Sequence, residues 1–224
     1  MSLQHGRKYS LVSAYGIVFK DRVFPQMIAK HEKEIAVLPP FFVRKSSIFH
    51  SKILAEVIFV SDAVKEQQSA PDFTLPAIGS DDVVKDGQVQ LSALRGHTTV
   101  LYFYPKDDTP GCTKEACSFR DANREMQKRG AVVLGVSTDS VASHQKFAEK
   151  YGLSYPLLSD TDATVAQLYG AYGEKNMYGK KYLGVNRETF LIDKDGVVRK
   201  IWHKVKPDDH ASEVLSTIEE LHLQ

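Results

Sequence analysis

Both cysteines of this chain lie in one stretch, Tyr104–Cys117, which reads YPKDDTPGCTKEAC. Cys112 follows Pro110 and Gly111, where the apolar, β-prone run Thr98–Tyr104 has ended and helical spacing begins at Thr113. A thiol at a helix start sits among unpaired backbone N–H groups and the positive end of the macrodipole, a place that favours an anion. The thiolate is the nucleophilic form of cysteine. Gly111 lets the backbone approach closely, and Pro110 suits a first helical turn. Thr109 carries a hydroxyl that both donates and accepts, so it can cap the helix or orient an oxygen beside the sulfur. Pro105 ends the strand and can stiffen the loop that shields the thiol.

Cys117 lies five residues after Cys112. On a regular helix that spacing is a rise of roughly 7.5 Å and a rotation of about 140°, which puts the Cα atoms about 8.7 Å apart. A disulfide tolerates about 4.4–6.8 Å. The two thiols therefore either never pair, or pair only when the helix start unwinds.

The run Pro105-x-x-x-Thr109-x-x-Cys112 resembles the active-site motif of the peroxiredoxins. A second cysteine five residues on resembles their Q type, also called the bacterioferritin comigratory protein type. The resemblance extends from about Ala70 to the C-terminus. It implies a thioredoxin-like fold and a Cys112 thiolate that attacks a hydroperoxide and becomes a sulfenic acid. It also implies that Cys117 resolves that acid into an intramolecular disulfide, with Thr109 and Pro105 shaping the loop. Asn186-Arg187-Glu188-Thr189-Phe190 resembles the segment that brings the family's active-site arginine, so the role falls to Arg187. Thioredoxin, or glutaredoxin in its place, is the implied reductant, and the implied state is a monomer or weak dimer. Three other readings use the same thiol: a disulfide reductase, which lacks its Cys-x-x-Cys here, a redox sensor and a holdase chaperone.

These residues need elements to hold them. Strands are expected over Ala70–Leu75, Thr98–Tyr104, Ala131–Ser137, Tyr155–Leu158, Glu188–Ile192 and Val197–Trp202. Helices are expected over Thr113–Arg129, Val141–Tyr151, Thr161–Tyr169 and His210–Leu223. Asp86-Gly87 within Val83–Leu91 marks a hairpin. Alternating strands and helices predict an α/β domain with parallel pairs, and the late hairpin makes the central sheet mixed, flanked by helices. Lys114 and Glu115 read as solvated charges of the first helical turn.

The whole chain has 224 residues, 42% hydrophobic and 25% charged, with a net charge of +1. That is ordinary for a globular protein and gives no global field toward nucleic acid or membrane. No apolar run approaches the about 20 residues of a membrane-spanning helix. The eight histidines show no ligand spacing and no glycine-rich phosphate loop is present, so neither metal nor organic cofactor is expected. Two cysteines fit a reducing compartment such as the cytoplasm. Residues 66–224 read as the catalytic domain. Residues 1–65, biased toward basic side chains and broken by Pro39-Pro40, read as an extension that is disordered, targeting or docking. A plastid or mitochondrial destination follows if they are a transit peptide, against which Glu32, Glu34 and Glu56 count.

Overall fold

The computed structural model describes residues 64–80, 82–177 and 180–223. The extension expected over residues 1–65 lies, but for its last two residues, outside them. The strands are β1 (Thr74–Ile78), β2 (Gln88–Gln90), β3 (Thr98–Phe103), β4 (Ala131–Ser137), β5 (Leu157–Ser159), β6 (Tyr172–Met177), β7 (Lys180–Val185), β8 (Glu188–Ile192) and β9 (Val198–His203). The helices are α1 (Pro110–Lys128), α2 (Val141–Tyr151), α3 (Thr164–Leu168) and α4 (His210–Glu220), with a 3-10 turn at Leu91–Leu94.

Seven strands form one sheet in the order β2-β1-β5-β4-β3-β8-β9. The β3–β4 and β4–β5 pairs are parallel, while β8 runs antiparallel to both β3 and β9, and β1 antiparallel to both β2 and β5. The sheet is thus mixed and flanked by helices, as expected. The unbroken apolar run of β3 lies between its two neighbours, and all six of its residues are buried.

Alternation along β3 splits the core in two. Leu101 and Phe103 join the layer that holds α3 and the 3-10 turn. Val100, Tyr102 and Tyr104 join the layer under α1, α2 and α4, with Phe119, Phe147, Val214 and Ile218. Full burial of a side chain such as Phe119 contributes about 1.5–3 kcal/mol. In that second layer the Tyr102 and Tyr155 hydroxyls meet at 2.8 Å, and Tyr155 donates to the Ala116 carbonyl of α1 at 3.0 Å. Gly135 makes room for them, since a Cβ there would lie 2.7 Å from the Tyr102 hydroxyl oxygen.

Several elements depart from the sequence expectation. The first strand forms at Thr74 rather than Ala70, because Ser69 and Ala70 pair with Val197 and Gly196 instead. A tight turn does form at Asp86-Gly87, where Lys85 and Gln88 exchange hydrogen bonds of 2.8 and 2.9 Å. The strand leaving that turn, β2, pairs with β1 and not with Val83–Val84. α1 begins at Pro110, three residues before the expected start. α4 ends at Glu220, short of the expected Leu223, and Leu221 just beyond it is exposed. The β6–β7 hairpin was not expected, since Gly, Glu, Asn and Lys mute its strand pattern. Its closing bond, from Asn186 N–H to the Ala171 carbonyl at 2.7 Å, delivers the chain to Arg187.

Candidate active site

The site forms where β3 gives way to α1. Thr109 takes the N-cap with an extended backbone, Pro110 and Gly111 follow, and Cys112 is the third helical residue. The Thr109 carbonyl accepts from Thr113 N–H at 2.8 Å, so the helix starts here and not at Thr113. The Thr109 hydroxyl makes no cap bond; it donates to the Lys106 carbonyl at 3.1 Å. Pro105 is half-buried at the head of the loop. Cys112 is 3% exposed and packs with Tyr104 and Ala116.

Arg187 arrives from the start of β8. Its Nη2 donates to Cys112 Sγ at 3.2 Å, and its Nη1 pairs with Glu115 Oε2. Gly111 lies alongside the guanidinium, where a Cβ would stand at an ordinary contact distance of 3.4 Å from Nη2. Burial works against the Arg187 charge, but Glu115 and Cys112 outweigh it and its pKa rises above the ordinary arginine value. Lys175 adds a second cation to this field. Burial and the nearby Arg187 lower its pKa, with Cys112 acting the other way, and its ammonium donates to the Val185 carbonyl.

Glu115 corrects the sequence reading. It is not a solvated helix charge but wholly buried, and its Oε1 has no hydrogen-bond partner. Burial pushes its carboxyl up to about 7 even with Arg187 beside it. A signal for this lay in the helix periodicity. Cys112, Ala116, Phe119, Asn123 and Met126 trace the buried face of α1, and 115 falls on that stripe. Lys114 does lie outside, paired with Asp208.

Cys117 is partly exposed, and both thiols are free. Both belong to one unbroken helix, so the spacing argument holds and the pair is out of disulfide reach in this state. The structure therefore brings Cys112, Arg187 and Glu115 into contact, and places Thr109 and Pro105 on the adjoining loop. Cys117 sits more than a turn further along.

Sequence reasoning also missed the polar support of the loop. Asp107 is buried and accepts from Tyr104 Oη at 2.7 Å and Ser143 Oγ at 2.7 Å, with His144 Nδ1 at 2.9 Å. Asp108, exposed and in a left-handed conformation, pairs with Lys150 and accepts from Tyr151. Nothing in the local spacing of these residues announces that α2 comes to meet them. Among the described residues no cluster of His, Cys, Asp and Glu could hold a metal ion.

Comparisons with known proteins agree with this geometry. Residues 67–201 match the model of the AhpC/TSA family. The chain is 50% identical over 156 residues to the putative peroxiredoxin bcp of Coxiella burnetii, which covers 70% of this chain and 99% of that one. It is 44% identical to the peroxiredoxin Bcp of Bacillus subtilis, over 69% of this chain and 94% of the relative. Among solved structures, it resembles the bacterioferritin comigratory protein of Xanthomonas campestris at a TM-score of 0.61 and 43% identity, covering 68% and 92% of the two chains. A PrxQ structure from Xylella fastidiosa gives a TM-score of 0.65 at 33% identity, covering 71% and 98%. A mixed sheet under helices, a thiol at a helix start and these likenesses converge: the chain belongs to the AhpC/TSA family, as a thiol peroxidase of the peroxiredoxin Q/Bcp kind with a thioredoxin-like fold.

Proposed function

We propose that Cys112 is the peroxidatic residue and that the substrates are hydrogen peroxide and small organic hydroperoxides. The observation that carries this is the Arg187 guanidinium 3.2 Å from a buried thiol at a helix start. The Cys112 thiolate attacks one peroxide oxygen, the O–O bond breaks, and the leaving oxygen takes a proton to give water or an alcohol. Cys112 is then a sulfenic acid. Arg187 stays beside the reacting sulfur and offsets the charge that develops on the oxygens. The Thr109 hydroxyl, which donates to Lys106, keeps its lone pairs to accept from the peroxide.

Cys117 then attacks the Cys112 sulfur, expels hydroxide that is protonated to water, and leaves a disulfide. This step needs the α1 start to unwind, because an intact helix keeps the sulfurs apart. A dithiol reductant, thioredoxin or in its place glutaredoxin, returns both thiols. We assign the catalytic domain to residues 66–224, a monomer or weak dimer in a reducing compartment such as the cytoplasm.

Steady-state peroxide reduction with a thioredoxin system tests this on wild type, Cys112→Ser and Cys117→Ser. Turnover in wild type, none in Cys112→Ser and a single oxidation in Cys117→Ser is the expected result. Stoichiometric oxidation of wild type without turnover would favour the sensor reading instead.

A further inference from the structure

The loop between β3 and α1 is held from behind by α2, and the hold is a buried polar pair. Asp107 Oδ1 accepts from Tyr104 Oη at 2.7 Å. Asp107 Oδ2 accepts from Ser143 Oγ at 2.7 Å and meets His144 Nδ1 at 2.9 Å. The Asp107 N–H donates to Asp139 Oδ2 at 2.8 Å. His144 is 0% exposed, and its Nε2 lies 3.1 Å from the Leu158 carbonyl oxygen. A carbonyl can only accept, so Nε2 carries a proton. One further proton must then lie between Nδ1 and Oδ2, whichever atom holds it, because a bare ring nitrogen facing a carboxylate would repel. Burial raises the Asp107 carboxyl, yet the bonds from His144, Tyr104 and Ser143 outweigh this and hold it below the usual range.

Asp107 stands two residues from Thr109, and the chain reverses between them at Asp108, which has a φ of 53°. Thr109 in turn bonds back to the Lys106 carbonyl, one residue before Asp107. Whatever fixes Asp107 therefore fixes the hydroxyl of Thr109 and the first turn of α1. Of this network Tyr104 packs with Cys112, while neither Asp107 nor His144 is hydrogen-bonded to it.

We infer that Asp107 and His144 are positioning residues for peroxide reduction. They form a buried, proton-sharing pair that locks the 105–109 loop to α2 and so sets where Thr109 meets the peroxide. This rests on the role proposed above for Cys112 and Thr109. Geometry of this kind is sensitive, since a displacement of about 1 Å can cost about a hundredfold in rate.

Two substitutions at one position separate positioning from mere packing. His144→Asn keeps an amide where Nδ1 stands and still donates to Asp107. His144→Gln reaches toward Leu158 and loses Asp107. Stopped-flow oxidation of the reduced protein by hydrogen peroxide, alkylation of Cys112 by iodoacetamide and hydrogen exchange over residues 105–113 are the readouts. We expect His144→Gln to oxidise at least about tenfold more slowly, to exchange faster over 105–113, and to alkylate no more slowly than wild type. His144→Asn recovers most of the oxidation rate. Ser143→Ala, which removes one outer donor, gives a smaller loss in the same direction. A folded His144→Gln with wild-type oxidation overturns the inference, as does a His144→Asn no better than it, or alkylation that falls in step with oxidation. If wild type itself consumes no peroxide, the functional reading has failed, and unchanged exchange over 105–113 in His144→Gln then overturns the positioning role separately.

Discussion

Arg187 divides its guanidinium between a thiol and an acid: Nη2 donates to Cys112 Sγ at 3.2 Å while Nη1 pairs with the buried Glu115. The planar fork of arginine serves both partners at once, which a single ammonium does not. Arg187→Ala should lower the rate of Cys112 oxidation by about 10²–10³-fold, the usual cost of losing a fixed donor at a developing charge. Arg187→Lys should recover little of it. Stopped-flow oxidation by hydrogen peroxide measures both, and a lysine variant near wild-type rate would refute the shared-fork account.

Glu115 links stability to pH with a definite sign. Its carboxyl is raised to about 7 in the fold, from an ordinary value of 4.5. The folded state then binds the proton more tightly than the unfolded chain. Its contribution is fully present below about pH 4.5 and is lost as the pH rises toward 7, by up to about 3 kcal/mol. Glu115→Gln carries no such proton. The unfolding free energy of wild type, measured by denaturant against that of Glu115→Gln, should fall behind between those pH values. A difference independent of pH would disprove the linkage.

The start of α1 must open for Cys112 and Cys117 to join, and Tyr155 restrains it through the Ala116 carbonyl at 3.0 Å. After one equivalent of peroxide, mass spectrometry should find two protons lost, with hydrogen exchange raised over residues 110–117. Tyr155→Phe should raise exchange there even in the reduced protein and destabilise it by about 1–2 kcal/mol. Unchanged exchange in the oxidised protein would contradict the unwinding step.

Gly135 tests the layer behind that restraint. A methyl group there would lie 2.7 Å from the Tyr102 hydroxyl oxygen and 2.9 Å from Leu157 Cδ2, both in the buried core. Gly135→Ala should cost about 1–3 kcal/mol in denaturant unfolding. It should also loosen α1 through the Tyr102–Tyr155 hydrogen bond, visible as faster exchange around Ala116.

Much of this protein could be read from its residues in order. The apolar run at β3, the glycine-and-proline approach to Cys112 and the five-residue spacing to Cys117 are local facts. They act through backbone propensity and covalent reach, which span only a few residues. β4, α2 and β8 formed at their expected bounds for that reason. The β6–β7 hairpin escaped notice because its polar strands draw their order from pairing with each other rather than from an apolar stripe.

Contacts between distant segments were decided by the fold alone. Arg187 reaches Cys112 across 75 residues, because β8 pairs antiparallel with β3 and so begins beside the start of α1. Motif likeness named the arginine, but its second bond to Glu115 required the packed interior. The same packing turned Glu115 from a surface charge into a buried acid, and brought His144 onto Asp107. Desolvation and hydrogen bonding depend on what closes over a group from elsewhere in the chain, and spacing along the sequence carries no measure of that.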